Sequence, residues 1–224
     1  MQNRLALPLM LLTAASAWCI ALLIARLVHL GSLAYPLIVW NLILAWVPLL
    51  LSLALLACAK RRRPGRELVA IGLLWLLFLP NAPYVMTDFV HLGYYHRLFD
   101  SLIFGSFGAT GLALGLASLV IVQSVVTRAK GASAGWAVAA ASLVASAVGI
   151  YLGRVQRLNS WDAITHPGRI LAIVRTWLDN PLGHQHLMLV VGGLAVFLGL
   201  TYLVLYALTS LAVTARELPP NGQP

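Results

Sequence analysis

The stretch ELVAIGLLWLLFLPNAPYVMTD, residues 67–88, decides how this chain folds. Leu68 to Leu79 is apolar without a break, and then Pro80, Asn81, Ala82 and Pro83 interrupt the run. A proline inside a helix removes one hydrogen bond and crowds the carbonyl four residues earlier, so a helix through this stretch is short or broken. Spanning a hydrocarbon core takes about 20 helical residues, so the segment crosses only if the chain continues past the prolines towards Asp88. At membrane depth, the backbone groups freed by such a break need partners from neighbouring helices or a water-filled cavity.

Outward from this segment, apolar runs near 5–25, 34–59, 67–90, 101–127, 133–153 and 187–213 predict six transmembrane helices, the third of them broken. The fold class is all-α, an integral membrane bundle forming a single transmembrane domain over 1–224. Composition agrees: 61% of the 224 residues are hydrophobic and 9% charged, and the mean hydropathy is +0.89. A water-soluble domain has no means of covering so much apolar surface. Arg4, the following apolar run and Ala15-Ser16-Ala17 imitate a signal peptide, but the run continues to Ala25, so an uncleaved helix is expected. Cys19 and Cys58 fall in different apolar runs and read as small buried hydrophobes.

The net charge of +9 has no soluble basic domain to carry it, so nucleic acid is not an expected partner. It reads instead as topology. Arg4, Lys60, Arg61, Arg62, Arg63, Arg66, Arg128, Lys130 and Arg216 fall on one side, and Arg26, Arg97, Arg154, Arg157, Arg169 and Arg175 on the other. The positive-inside rule then predicts both termini in the cytoplasm of a multi-pass protein of the bacterial cytoplasmic (inner) membrane. His29, His91, His96, His166, His184 and His186, with Asp88, Asp100, Asp162 and Asp179, all fall on the opposite, outer side. Chemistry is therefore sought there.

Gly111 and Gly115 make a GxxxG pair, and Ala137, Ala141, Ala145, Gly149 and Gly153 recur every four residues. Such ridges let backbones approach closely, either within the chain or against a second copy or another membrane protein. Near 169–179, Ile170, Leu171, Val174, Trp177 and Leu178 share one face and predict an amphipathic helix lying on the bilayer, as a brace or a lid.

At 1.5 Å per residue, Asn81 lies about 21 Å and Asp88 about 32 Å above Glu67, while Arg154 lies about 31 Å above Ser133. Asn41, about 10 Å below the outer end of span two, shares the depth of Asn81, and the two amides are expected to satisfy one another or the freed carbonyls. Asp88 and His91 are three apart, as are Arg154 and Arg157, so each pair would share a helical face if its helix continues. Two guanidiniums one turn apart suit phosphate or carboxylate. His91, or Asp88 through a water, would be a base beside them. With Asn159 and Asp162 from the next loop, the candidate binding set is Asn41, Asn81, Asp88, His91, Arg154, Arg157, Asn159 and Asp162. His184-Gln185-His186 carries no compact ligand motif, so no metal site is assigned. Tyr94, Tyr95, Trp161 and Trp177 read as an outer aromatic belt. No phosphate-binding loop or nucleophile elbow is present, Ser160 lacks the flanking glycines of the latter, and no catalytic residue or cofactor is assigned.

Three blocks of the chain resemble the DUF1361 family of uncharacterised bacterial membrane proteins. They are Trp40 to Pro48, Leu79 to Tyr84 running on through Thr87-Asp88 to His91-Leu92, and Gly153-Arg154 with Leu158 to Asp162. The resemblance implies a multi-span membrane protein and brings no activity with it. The expected function is binding of an anionic lipid headgroup or lipid-linked substrate at the outer polar site. Membrane lipids are the expected partners, and a structural or assembly subunit and a small transporter are the alternatives.

Overall fold

The computed structural model describes residues 2–31, 35–91, 97–158, 160–179, 183 and 185–217. Among them run α1 (Gln2–Leu30), α2 (Pro36–Lys60), α3 (Gly65–Phe78), α4 (Asn81–Tyr84), a 3₁₀ segment (Val85–His91), α5 (Arg97–Lys130), α6 (Ala132–Arg154), α7 (Asp162–Thr165), α8 (Pro167–Asp179) and α9 (Gln185–Glu217). Six helices are long and apolar enough to cross a membrane, so this is a multi-pass membrane protein. The third of them is a joined helix over Gly65–Asp88, bent at 79–80 as the prolines require.

The helix ends lie beyond several of the expected span limits, and one extension corrects the sequence reading. Arg26, expected in an outer loop, lies inside α1, and Asp100, expected just before the fourth span, lies inside α5. Arg26 Nε donates to Asp100 Oδ1 at 2.7 Å, and the two residues are 7% and 0% exposed. Each charge is compensated by the other, so both helices continue through them.

Helix α5 is the hub, packed against α1, α2, α4, the 3₁₀ segment and α6, while α9 leans on α6. Lipid gives apolar helices no hydrophobic reason to associate, so polar clips and close packing carry the assembly. Trp75 Nε1 donates to Ser118 Oγ at 3.1 Å, Trp46 Nε1 to Ser16 Oγ at 3.1 Å, and the Tyr202 hydroxyl to Gln123 Oε1. Cys19 Sγ lies 3.4 Å from Thr110 Oγ1. Among the described residues no buried side-chain nitrogen or oxygen lacks a partner, as a water-free interior demands.

The small-residue ridges find their occupant within the chain. A Cβ on Gly111 would stand 2.5 Å from the Ala82 carbonyl oxygen, and one on Gly115 2.9 Å from the Ala82 side chain. From the other side, a Cβ on Gly149 would meet Pro80 at 2.5 Å, and one on Gly153 would meet Tyr84 at 3.0 Å. The four glycines thus form the two sides of a notch that takes the bent segment, while Ala137 and Ala141 lower on α6 remain exposed.

This predicts a contrast between two identical substitutions. Gly111→Ala drives a methyl against backbone and should cost about 1–3 kcal/mol by overpacking. Gly192→Ala on α9, where nothing lies within 4 Å of the added carbon, should leave stability unchanged. Thermal unfolding in detergent, followed by circular dichroism, reads both.

Candidate functional site

The bend turns two faces of the third span to different surroundings. Leu79, Ala82 and Val85 are buried on the bundle side. Leu76, Leu77, Pro80, Asn81 and Tyr84 recur at helical spacing on the other side, where they line a cavity of about 840 Å³. Its walls are α2, through Trp40, Asn41 and Leu44, and α6, from Ala145 to Arg154. Among the described residues none of α1, α5 or α9 lines it, so the cavity is a groove on the side of the bundle away from the hub. Arg157, Leu158, Ser160, Trp161 and Ile170 of α8 roof it. From Ala145 to Arg154 the groove is about 13 Å deep by helical rise.

The polar end of the groove is built around Asp88. Arg154 donates from NH2 to Asp88 Oδ1 at 2.6 Å, and Asn41 Nδ2 donates to Asp88 Oδ2 at 2.9 Å. Arg154 also donates to Thr87 Oγ1 from NH2 at 2.6 Å and from Nε at 3.0 Å. The Thr87 hydroxyl in turn donates to the Tyr84 carbonyl at 2.7 Å. The guanidinium lies over the Tyr84 ring, 4.5 Å from its centroid, a cation–π arrangement. Asp88 is 5% exposed and does not line the groove, whereas Arg154 does. The carboxylate therefore acts behind the arginine, fixing the plane of its fork and compensating its charge.

Asn41 and Asn81, expected to answer one another, do not. The Asn81 amide donates to the Phe78 carbonyl at 3.1 Å and to Ser160 Oγ at 2.8 Å, tying the bend to the roof. One freed carbonyl near the prolines is thereby satisfied from the adjacent turn, which releases Asn41 for Asp88.

The expected pairing of Arg154 and Arg157 on one helical face also requires correction. Helix α6 ends at Arg154, and Arg157 stands outside it with φ 53°, in the left-handed region. The Leu158 amide returns to the Leu152 carbonyl at 3.2 Å and closes that turn. Arg157 is exposed at the groove mouth and has no partner among the described residues. The two guanidiniums thus border one groove by different routes, one locked and one open.

Asp162 lies apart on α7, 3.9 Å from His166 Nδ1, and does not line the groove. Asn159, His96, His184, Tyr94 and Tyr95 lie outside the described residues, as does the side chain of His91. Among the described residues, no three His, Cys, Asp or Glu side chains converge on a metal position. Helix α8 covers 167–179 as expected and turns Ile170, Val174 and Trp177 inward, with Trp177 edge-on to Tyr151 at 5.6 Å.

Sequence reasoning missed Thr87 and Tyr84 as partners of Arg154, although both fall in the quoted Leu79–Leu92 block. It also missed the Arg26–Asp100 pair. The Tyr35 hydroxyl donates to Asp100 Oδ2 at 3.4 Å, and Arg26 stands over the Tyr35 ring at 5.1 Å. A base just past the first apolar run and an acid just before the fourth was the available signal.

The blocks that build the groove coincide with a known pattern, since the family described as "Protein of unknown function (DUF1361)" matches residues 40–201. The chain belongs to the DUF1361 family. Trp40 and Asn41 open the matched region, and the bend, the Asp88 cluster and the roof all fall within it. Helix α1, with Arg26, lies before it. No curated protein matches the chain, and no solved structure does.

The two ion pairs should respond differently to truncation. Asp100→Ala strands a nearly fully buried Arg26 and should cost about 3–5 kcal/mol. Asp88→Ala should cost less, because the Arg154 side chain is 23% exposed and retains Thr87 and water. Denaturant-induced unfolding in mixed micelles ranks them, and equal losses would contradict this assignment of burial.

Proposed function

We propose that the chain binds an anionic lipid headgroup, or the headgroup of a lipid-linked substrate, at the polar end of the groove. With the positive-inside orientation this end meets the outer leaflet of the bacterial cytoplasmic membrane. One observation carries the reading: the exposed Arg157 guanidinium stands, without a partner among the described residues, above an apolar groove at membrane depth. Leu44, Leu76, Leu77 and Val148 offer an acyl or prenyl chain a wall equivalent to lipid, and the mouth offers its headgroup a cation and hydrogen-bonding groups.

Acid–base catalysis by Asp88 fits less well. Its oxygens accept from Arg154 and Asn41, and it does not reach the groove. A conduit fits less well too, because the lining below Asn81 is apolar and stops at Leu76 and Ala145. An assembly role keeps the exposed Ala137 and Ala141 face of α6, but the glycine notch is already filled by the chain itself.

The test is lipid retention by native mass spectrometry from a mild neutral detergent, with chain-matched phosphatidylglycerol and phosphatidylcholine in competition. The wild-type chain should retain the anionic lipid preferentially, and Arg157→Ala should reduce that preference about tenfold, equivalent to about 1.4 kcal/mol. Val148→Trp, which fills the apolar wall, should lower retention of both lipids. Identical lipid adducts in wild type and a folded Arg157→Ala variant would sink the reading.

A further inference from the structure

Resting on that reading, we propose that the groove selects a headgroup bearing a single negative charge, a phosphodiester carrying hydroxyls, over phosphomonoester and pyrophosphate lipids. The argument is charge balance at the mouth. Among the described residues that line the groove, Arg154 and Arg157 are the charged ones. The Arg154 charge is spent on Asp88, which stands directly behind it at 2.6 Å. The described lining residues, taken with the carboxylate paired to Arg154, therefore present one net positive charge, that of Arg157.

A phosphodiester carries one negative charge and meets that balance. A phosphomonoester carries about 1.5–2 negative charges at pH 7, and a pyrophosphate more. Seating either beside an apolar wall leaves charge uncompensated where water is scarce, and this is costly. The remaining polar groups suit hydroxyls. Ser160 accepts from Asn81, so its own proton is available to a ligand oxygen, and the Asn41 amide that fixes Asp88 leaves its carbonyl oxygen as an acceptor. Trp40 and Trp161, 49% and 42% exposed, flank the mouth. Indoles favour the headgroup level of a bilayer.

The two possible sources of such a ligand, a bulk phospholipid and a polyprenyl carrier, are separated by charge in the test. Phosphatidylglycerol, phosphatidic acid and a polyprenyl pyrophosphate compete for the full chain in neutral detergent at pH 7.4, close to the roughly neutral condition assumed for these charges, with retention read by native mass spectrometry. Phosphatidylglycerol should win over each by about tenfold. Trp161→Lys adds a cation at an exposed position of the mouth and should shift the ratio towards phosphatidic acid. Asp88→Asn releases the Arg154 charge and should shift it the same way. If Asp88→Asn does not fold, the exposed Trp161→Lys variant decides alone.

Equal retention of all three lipids, tighter binding of either multiply charged lipid, or an unchanged ratio in Trp161→Lys would overturn the single-charge selection. Those results would leave anionic preference over phosphatidylcholine intact. Loss of that preference would instead remove the lipid-binding reading itself.

Discussion

A bilayer supplies no water to a broken helix, and the rest of the polar end follows from how this chain meets that constraint. The prolines at 80 and 83 free backbone groups that only protein can answer. The bent segment is pressed into the notch formed by Gly111 and Gly115 on one side and Gly149 and Gly153 on the other. Its face away from α5 borders a space between α2 and α6, and that space is the groove. The same seating brings Asp88 between α2 and α6, where Asn41 and Arg154 close on it. Gly149 and Gly153 thus line the cavity directly, while Gly111 and Gly115 serve it only by seating the segment that borders it.

The bundle around this segment is held in part by isolated polar contacts that tie α5 to α1, α3 and α9. Trp75 with Ser118, Gln123 with Tyr202, Cys19 with Thr110 and Arg26 with Asp100 each join α5 to a different helix or a different level of α1. In a water-soluble bundle these would be minor additions to apolar burial. In lipid they distinguish the native arrangement from others with equal apolar contact.

Much of this was open to reading in the sequence, for reasons that particular residues make clear. Six spans follow from apolar length alone, and the bend follows from Pro80 and Pro83. Helical rise placed Asp88 and Arg154 at one level, and the structure joins them. Rise gives depth but not azimuth, and so it pairs Asn41 with Asn81, whereas Asn41 faces Asp88. The tighter winding of the 3₁₀ segment, three residues per turn, changes which side Asp88 presents. Arg157 shares the face of Arg154 only if the helix continues past Arg154, and α6 ends there. Hydropathy treats a charge as an end and so sets Arg26 and Asp100 at the margins, and two ends that cancel are visible only once the helices are side by side.

That cancelled pair also bears on how the bundle is put together. Arg26 leaves the ribosome before its carboxylate, which lies 74 residues further along the chain. Until that residue arrives, the guanidinium has to stay hydrated at the headgroup level, which its position one turn from the end of α1 allows by snorkelling. Seating α1 at full depth therefore waits on α5. Helix α1, made before α5, is locked only once α5 is in place, so at this end of the bundle assembly does not follow the order of synthesis.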